Sequence, residues 1–398
     1  MNGFGYVERF PASLVELLCE FVKRPSVSPE GEAGGSEPGE RAMADYLAGL
    51  LRGLGGEVSV VEVQPGRPNV VGRFPAGTMP DDNAAPVIAL VPHLDTVGVG
   101  GMTIPPFAPA VRGGKIFGRG ATDTKGPMAA ALWALARWLR SPAAGHSRVT
   151  WVFAATMGEE EMSTGAAALC KAGFRANFAV VLEPTDLRIV RAEKGVLRVW
   201  VEAAGRACHG ATPERGDNAV YKLLPFLRAC QEELAPALAA ARHPDLGGAS
   251  LNVGVVRGGN ELNIVPDACR AGLDIRTHPG MPNAEILARV RAAVAASEMG
   301  GGKGPGSSLS VRVHRDGPPF VLAENHPWVR RLAVHAKGVE VAPWFSDANV
   351  LNANGTPAVA FGPGAIAQAH TKDEFIESAA LEEGARVLEE FIDSISRQ

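Results

Sequence analysis

Three stretches of this chain are nearly unbroken apolar runs: PVIALVPHLD (86–95), RVTWVFAAT (148–156) and FAVVLEPT (178–185). A strand with one wet face alternates apolar and polar residues. A run without alternation has to be covered on both faces. Such strands belong to sheets with helices packed on either side, and those sheets are largely parallel. Helix-like apolar spacing fits the pattern at 11–23, at 40–54 and in TKGPMAAALWALARWL (124–139). EVSVVEV (57–63) and NVVGRF (69–74) read as further strands, and the Pro/Gly/Ser-rich stretch 24–40 as a surface loop. The expectation is an α/β domain with a mostly parallel sheet.

The pattern changes near residue 190. GVLRVWVEAAG reads as a strand, NAVYKLLPFLRACQEELAP as a helix, and SLNVGVVRGG and ACRAGLDIR as strands; PNAEILARVRAAVAASE reads as a helix and SSLSVRVHRDG as a strand. This β-α-β-β-α-β order is the ferredoxin-like signature of a separate α+β domain. A glycine-rich connector, 300–308, falls inside it. Beyond residue 317 a helix is expected at 326–338, a strand at TPAVAFG and a terminal helix at 379–396. The first domain therefore spans 1–190 and 317–398, and the second, 191–316, is inserted into it.

Composition excludes several classes. A net charge of −4 over 398 residues gives no electrostatic case for nucleic acid or an anionic membrane surface. No apolar run reaches the roughly 20 residues that span a bilayer, and the first residues lack the basic-then-apolar order of a secretory leader. Cys19, Cys170, Cys208, Cys230 and Cys269 are scattered and odd in number, which argues against a disulfide framework and against a thiolate metal site. The expected location is the cytoplasm.

Chemistry-bearing residues gather where the apolar runs end, which is where open α/β sheets bind ligands. In VPHLDTV, His93 and Asp95 stand two apart on a strand, so both face one way. A metal-binding His commonly hands its other N–H to a carboxylate, and a buried His–Asp pair without metal has the same spacing. Asp123, in GRGATDTKGPMAA, precedes a helix, as an ordinary N-cap aspartate also would. In TMGEEEMSTGA, Glu159, Glu160 and Glu161 crowd like charges at a strand end, which is costly unless a cation or solvent relieves them. Glu183 closes VVLEPT, and His370 follows a Gly-Pro-Gly turn in FGPGAIAQAHTKDEF; each alone could be a plain surface residue. Together they make a mixed imidazole–carboxylate set that suits zinc, with cobalt or manganese as substitutes.

The succession H-x-D, G-R-G-x-x-D-x-K-G, E-E, E-P-T and A-H-x-x-x-E resembles the co-catalytic di-zinc family of acetylornithine deacetylase, succinyl-diaminopimelate desuccinylase, carboxypeptidase G and aminoacylase. The resemblance implies a zinc-peptidase-like catalytic domain interrupted by a ferredoxin-like lid through which two copies dimerise. It implies that His93 and Glu183 hold one zinc, Glu160 and His370 the other, and that Asp123 bridges them. Glu159 would be the general base for the attacking water and Asp95 would orient His93, with a cis peptide at Asp123–Thr124. The family has an acidic residue before its Glu-Glu, whereas this chain has Gly158 before three glutamates. Counting back from Gly165 without a gap selects Glu159 and Glu160; a one-residue deletion would select Glu160 and Glu161.

GRACHGATPERGDNAV resembles the lid segment whose histidine stabilises the oxyanion in the partner's site, here His209, with Asn218 nearby. NELNIVPDACRAGLDIR resembles the substrate-carboxylate clamp, here Asn263 and Arg276; an ion pair with Asp274 is the other use of that arginine. Gly362 and Gly364 could bring backbone close to substrate. The implied activity is hydrolysis of an N-acyl amino acid or short peptide, most like acetylornithine deacetylase. Desuccinylation or release of a C-terminal amino acid would use the same metals. A catalytically silent metal-binding homologue could lose these residues freely, and here every position is filled.

Overall fold

The structure, a computed structural model, describes residues 9–29, 39–77, 85–299 and 308–397. The 300–308 connector, apart from Ser308, lies outside the described residues, as do the first eight residues and 30–38 of the surface loop. The chain divides into two compact units, Met1–Arg191 with Leu322–Glu340 and Ser346–Gln398, and Ala192–Val321 with Val341–Phe345.

In the first unit the three apolar runs become the strands Val87–Val91, Thr150–Ala155 and Phe178–Val181. They pair in parallel, in the order Thr150–Ala155, Val87–Val91, Phe178–Val181, Ala358–Ala360. Arg67–Phe74 and Glu57–Gln64 extend one side antiparallel, and Arg188–Glu193 the other. Alternation explains the missing polar residues. Ile88, Leu90, Trp151, Phe153, Phe178 and Val180 enter the main core with the helices Leu14–Val22, Arg41–Gly53, Lys125–Leu139 and Ser378–Ser396. Their neighbours Ala89, Val91, Val152, Ala154, Ala179 and Val181 are buried as well, on the opposite face. Because the central strands are parallel, all their C-terminal ends lie at one edge of the sheet.

The helix expected at 326–338 is shorter, Pro327–Ala333, and is followed by a strand, Gly338–Ala342, and a helix, Asp347–Ala353, that the sequence reading does not contain. Elements of five to seven residues hold too few periods to be recognised.

The second unit carries the expected β-α-β-β-α-β order. Its antiparallel sheet runs Ser250–Gly258, Ala268–Thr277, Gly195–Ala204, Leu309–Gly317. Leu223 and Phe226 of helix Ala219–Ala229 and Ile286 and Val290 of helix Asn283–Met299 pack on Leu197, Val199, Val201, Leu273 and Ile275. Replacing the fully buried Phe226 by Ala should cost about 3–5 kcal/mol in urea denaturation followed by circular dichroism. A loss below about 1 kcal/mol would show that this core does not hold the unit.

Candidate metal centre

Four segments leave that common sheet edge and converge. The parallel pairing continues past the strands, with Leu94 N–H donating to Thr156 O at 2.7 Å, and so places His93 beside the glutamate loop. His93 Nε2 lies 3.0 Å from Asp123 Oδ1, His370 Nε2 3.3 Å from Asp123 Oδ2 and 3.0 Å from Glu160 Oε2. Ligand atoms of His93, Asp123 and Glu160 all lie within 4.8 Å of one another. Glu183 is buried at the end of Phe178–Val181, and its charge acts on His93. Glu160 enters the cluster. The Asp123–Thr124 peptide is cis, as the resemblance implies.

The charges explain one another. Burial alone would lower the proton affinity of His93, but its bonds to Asp123 and Asp95 hold its pKa well above the ordinary value. Hydrogen bonds to Asp123 and then Glu160 raise His370 to about 10. Asp123 is the mirror case: burial would raise it, and the two histidines hold it far below the usual carboxylate range. Glu160 is raised, first by burial and then by the charge of Asp123. Protons on two imidazoles thus occupy the place of positive charge among buried carboxylates. The donor set, imidazole nitrogens and carboxylate oxygens at one buried point, fits divalent transition metals.

His93 Nδ1 is 2.9 Å from the main-chain oxygen of Asp95 and 3.5 Å from its carboxylate. That carboxylate accepts from the N–H of Glu159 at 3.0 Å and of Glu160 at 3.1 Å. These open the short helix Glu159–Met162, and first-turn amides have no intrahelical partner. Asp95 thus faces His93 with both its main-chain oxygen and its carboxylate, and the same carboxylate anchors the two glutamates.

Several contributors were not singled out in the sequence. The wholly buried Glu374 accepts from Arg119 Nη1 at 2.6 Å and from the N–H groups of Gly120, Thr122 and Asp123 at 3.1, 2.9 and 3.0 Å. It shapes the loop that presents Asp123. Thr156 Oγ1 donates to the buried Asp347 at 2.7 Å. Lys125, fully buried, donates to Arg24 O at 2.8 Å, and burial pushes its ammonium down to about 7. Glu374 stands in the quoted A-H-x-x-x-E motif, which was its one available signal.

The remaining expected residues separate into two groups. Gly362 and Gly364 pack against Glu183–Asp186: a side chain at Gly362 would meet Glu183 O at 2.7 Å, and Gly364 has φ +93 and accepts from Asp186 N–H at 2.7 Å. Both glycines thus pack closely against their own chain. The others lie in the second unit. His209 is exposed; Ala211 N–H donates to its Nδ1 at 3.0 Å, which leaves Nε2 as the protonated donor. Asn218 Oδ1 caps helix Ala219–Ala229 through Val220 and Tyr221 N–H at 3.0 and 3.3 Å. Asn263 is exposed, and its main-chain oxygen accepts from Gly210 N–H at 2.7 Å. Arg276 makes the ion pair with Asp274, Nε to Oδ1 2.7 Å, and Arg198 shares that carboxylate at 2.8 Å.

With this geometry established, comparison with known proteins is informative. Residues 89–394 match the model of peptidase family M20/M25/M40. The chain belongs to this family. It is accordingly a metal-dependent hydrolase of amide bonds. The chain is 32% identical over 300 residues to an acetylornithine deacetylase of Myxococcus xanthus, covering 73% of this chain and 75% of that one. It is 29% identical over 400 residues to a probable succinyl-diaminopimelate desuccinylase of Staphylococcus epidermidis, covering 91% and 92%. Among solved structures, an M20 family metallo-carboxypeptidase from Sulfolobus solfataricus aligns with a TM-score of 0.78 at 18% identity, covering 98% of this chain and 100% of that one.

The proton balance has a measurable sign. His370 is raised to about 10 in the fold against about 6.5 when unfolded. A raised pKa contributes stability that is complete below the unfolded value and is lost as pH climbs through the folded one. The chelator-treated protein should therefore lose Tm steadily between about pH 6.5 and 10, and His370→Ala should flatten that slope. Equal slopes in the two proteins would refute the ion-pair account.

Proposed function

We infer that this chain hydrolyses the amide bond of an N-acyl amino acid, with an N-acetylated amino acid of the acetylornithine type the leading substrate. Two zinc ions, replaceable by cobalt or manganese, are the proposed cofactors. His93 and Glu183 would hold one, Glu160 and His370 the other, with Asp123 shared. The observation that carries this reading is the meeting of His93, Asp123, Glu160 and His370 at one buried point. The likeness to the Myxococcus xanthus deacetylase supports the substrate class. Desuccinylation is the second reading, supported by the Staphylococcus epidermidis relative over nine-tenths of both chains.

Zinc bound there would act as a Lewis acid on the scissile carbonyl and lower the pKa of the attacking water. The chain's own part is proton handling and positioning. Glu159 would accept the proton of the attacking water and return it to the leaving nitrogen, so the amide C–N bond breaks as a carboxylate and an amine form. Its position beside Glu160 on a helix start anchored by Asp95 fixes the two glutamates relative to each other. In the second unit, His209 Nε2 would donate to the developing oxyanion of a partner subunit, and Arg276, Asn263 and Asn218 would receive the substrate carboxylate end. The exposed apolar residues Tyr221, Leu224 and Val256 of that unit support a homodimer formed through it. No described helix is long and apolar enough to cross a membrane, and the five free cysteines agree with a reducing, cytoplasmic setting.

Amine release from zinc-loaded protein, offered N-acetylornithine, other N-acetyl amino acids, N-succinyl-diaminopimelate and C-terminal dipeptides, should reveal one preferred N-acyl amino acid. Glu159→Gln should lower kcat by roughly 10²–10⁴-fold with metal content unchanged. Full activity in that variant would remove Glu159 from the role of base, and no turnover of any substrate by the doubly loaded wild type would remove the hydrolytic reading.

A further inference from the structure

Four consecutive backbone N–H groups of the glutamate loop are each received by a side-chain oxygen from elsewhere in the chain. Met157 N–H donates to Asn69 Oδ1 at 3.0 Å, Gly158 N–H to Glu40 Oε1 at 3.2 Å, and Glu159 and Glu160 N–H to the two oxygens of Asp95. Regular secondary structure supplies none of these acceptors. Asn69 also donates from Nδ2 to Gly165 O at 2.8 Å, so one amide ties both ends of the loop. Glu40 is held in turn by Arg67, whose Nε and Nη2 donate to its two oxygens at 2.7 Å each, and Arg67 Nη2 reaches Ser28 Oγ at 3.3 Å. Arg67, Glu40 and Asn69 are 5%, 0% and 3% exposed, so this fork is sealed from solvent.

The loop conformation depends on these acceptors. Gly158 has φ +65, in the left-handed region, and a Cβ on it would sit 3.2 Å from Arg67 Nη2. At Gly165 a Cβ would meet Met157 O at 2.4 Å and Asn69 Oδ1 at 2.6 Å. The chain thus enters the glutamates through a turn with no side chain of its own and is fixed from the strand Arg67–Phe74. Satisfying buried amides with fixed side-chain oxygens holds a loop in one geometry, because a buried amide left unmet is destabilising.

The geometry points to Arg67, Glu40 and Asn69 as positioning residues for Glu159 and Glu160, remote side chains that set where the proposed base and metal ligand stand. This rests on the function proposed above. Arg67 and Asn69 act from the strand next to Thr150–Ala155, and Glu40 acts from the N-cap of helix Arg41–Gly53. Glu40 and Asn69 reach the imidazole–carboxylate cluster through the backbone N–H groups of Gly158 and Met157. Their effect is on its coordinates, and outer partners of this kind typically change metal affinity or activity by 10–100-fold.

The test is zinc titration of the metal-free protein against a competing chelator, with steady-state kinetics on the preferred substrate. Arg67→Met combined with Glu40→Met removes both buried charges at once and so avoids leaving one uncompensated. The double variant should keep one zinc at wild-type affinity, bind the other roughly 10–100-fold more weakly, and lose kcat by a similar factor with KM little changed. Glu40→Gln, which keeps an acceptor for Gly158, should recover much of the loss. If the double variant fails to fold, Asn69→Asp, which keeps the acceptor for Met157 and loses the donor to Gly165, should show the same weakening of one zinc. Two zincs bound at wild-type affinity with wild-type kcat in the folded variants would overturn the assignment. Wild-type protein that binds no zinc pair would instead overturn the proposed function, and the positioning role with it.

Discussion

Asp95, Asp123, Glu159 and Glu183 are each at most 8% exposed, and Glu160 has a side chain only 6% exposed, yet all five carboxylates stand at one end of a parallel sheet. Desolvating one carboxylate is costly, and crowding several multiplies the cost unless positive charge lies among them. In the protein alone, His93 and His370 supply it by holding protons well beyond their ordinary range. Metals compete for the same nitrogens, because a metal-bound imidazole must be neutral. The sheet thus creates a demand for cations that both protons and divalent ions can meet.

Meeting that demand at one point requires loops held in place, and buried carboxylates hold them by accepting backbone N–H groups. Glu374 gathers three amides and Arg119 around the Asp123 loop. Asp95 takes the amides of Glu159 and Glu160, and Glu40 takes that of Gly158. Each of these acids is charge-neighboured by others, and burial raises both Glu374 and Glu40. Such acids are tolerated because arginines, Arg119 for one and Arg67 for the other, are buried with them.

The central strands were legible because a doubly covered strand leaves an unbroken apolar run, and the nearness of His93 to the glutamate loop was legible because parallel strands deliver their C-terminal residues to one edge. The β-α-β-β-α-β unit was legible from element order alone. What escaped was of another kind. Glu40 and Arg67 lie 118 and 27 residues from the groups they bond, and Glu374 some 250 from its amides. Glu40 and Glu374 accept from backbone N–H groups, which every residue but proline has, so no residue pattern marks those contacts. Asp95 shows the limit of spacing arguments: an i, i+2 offset on a strand put it beside His93, but not which atoms would bond. Gly362 and Gly364 pack closely on the Glu183–Asp186 segment, which is distant in sequence, and spacing alone does not show that contact.

The most direct measurement is anomalous diffraction at the zinc edge from crystals of zinc-loaded protein. The account requires two anomalous peaks, both in contact with Asp123, one shared with His93 and Glu183 and the other with Glu160 and His370. A single peak, or two peaks that leave Asp123 or Glu160 uncoordinated, would contradict it.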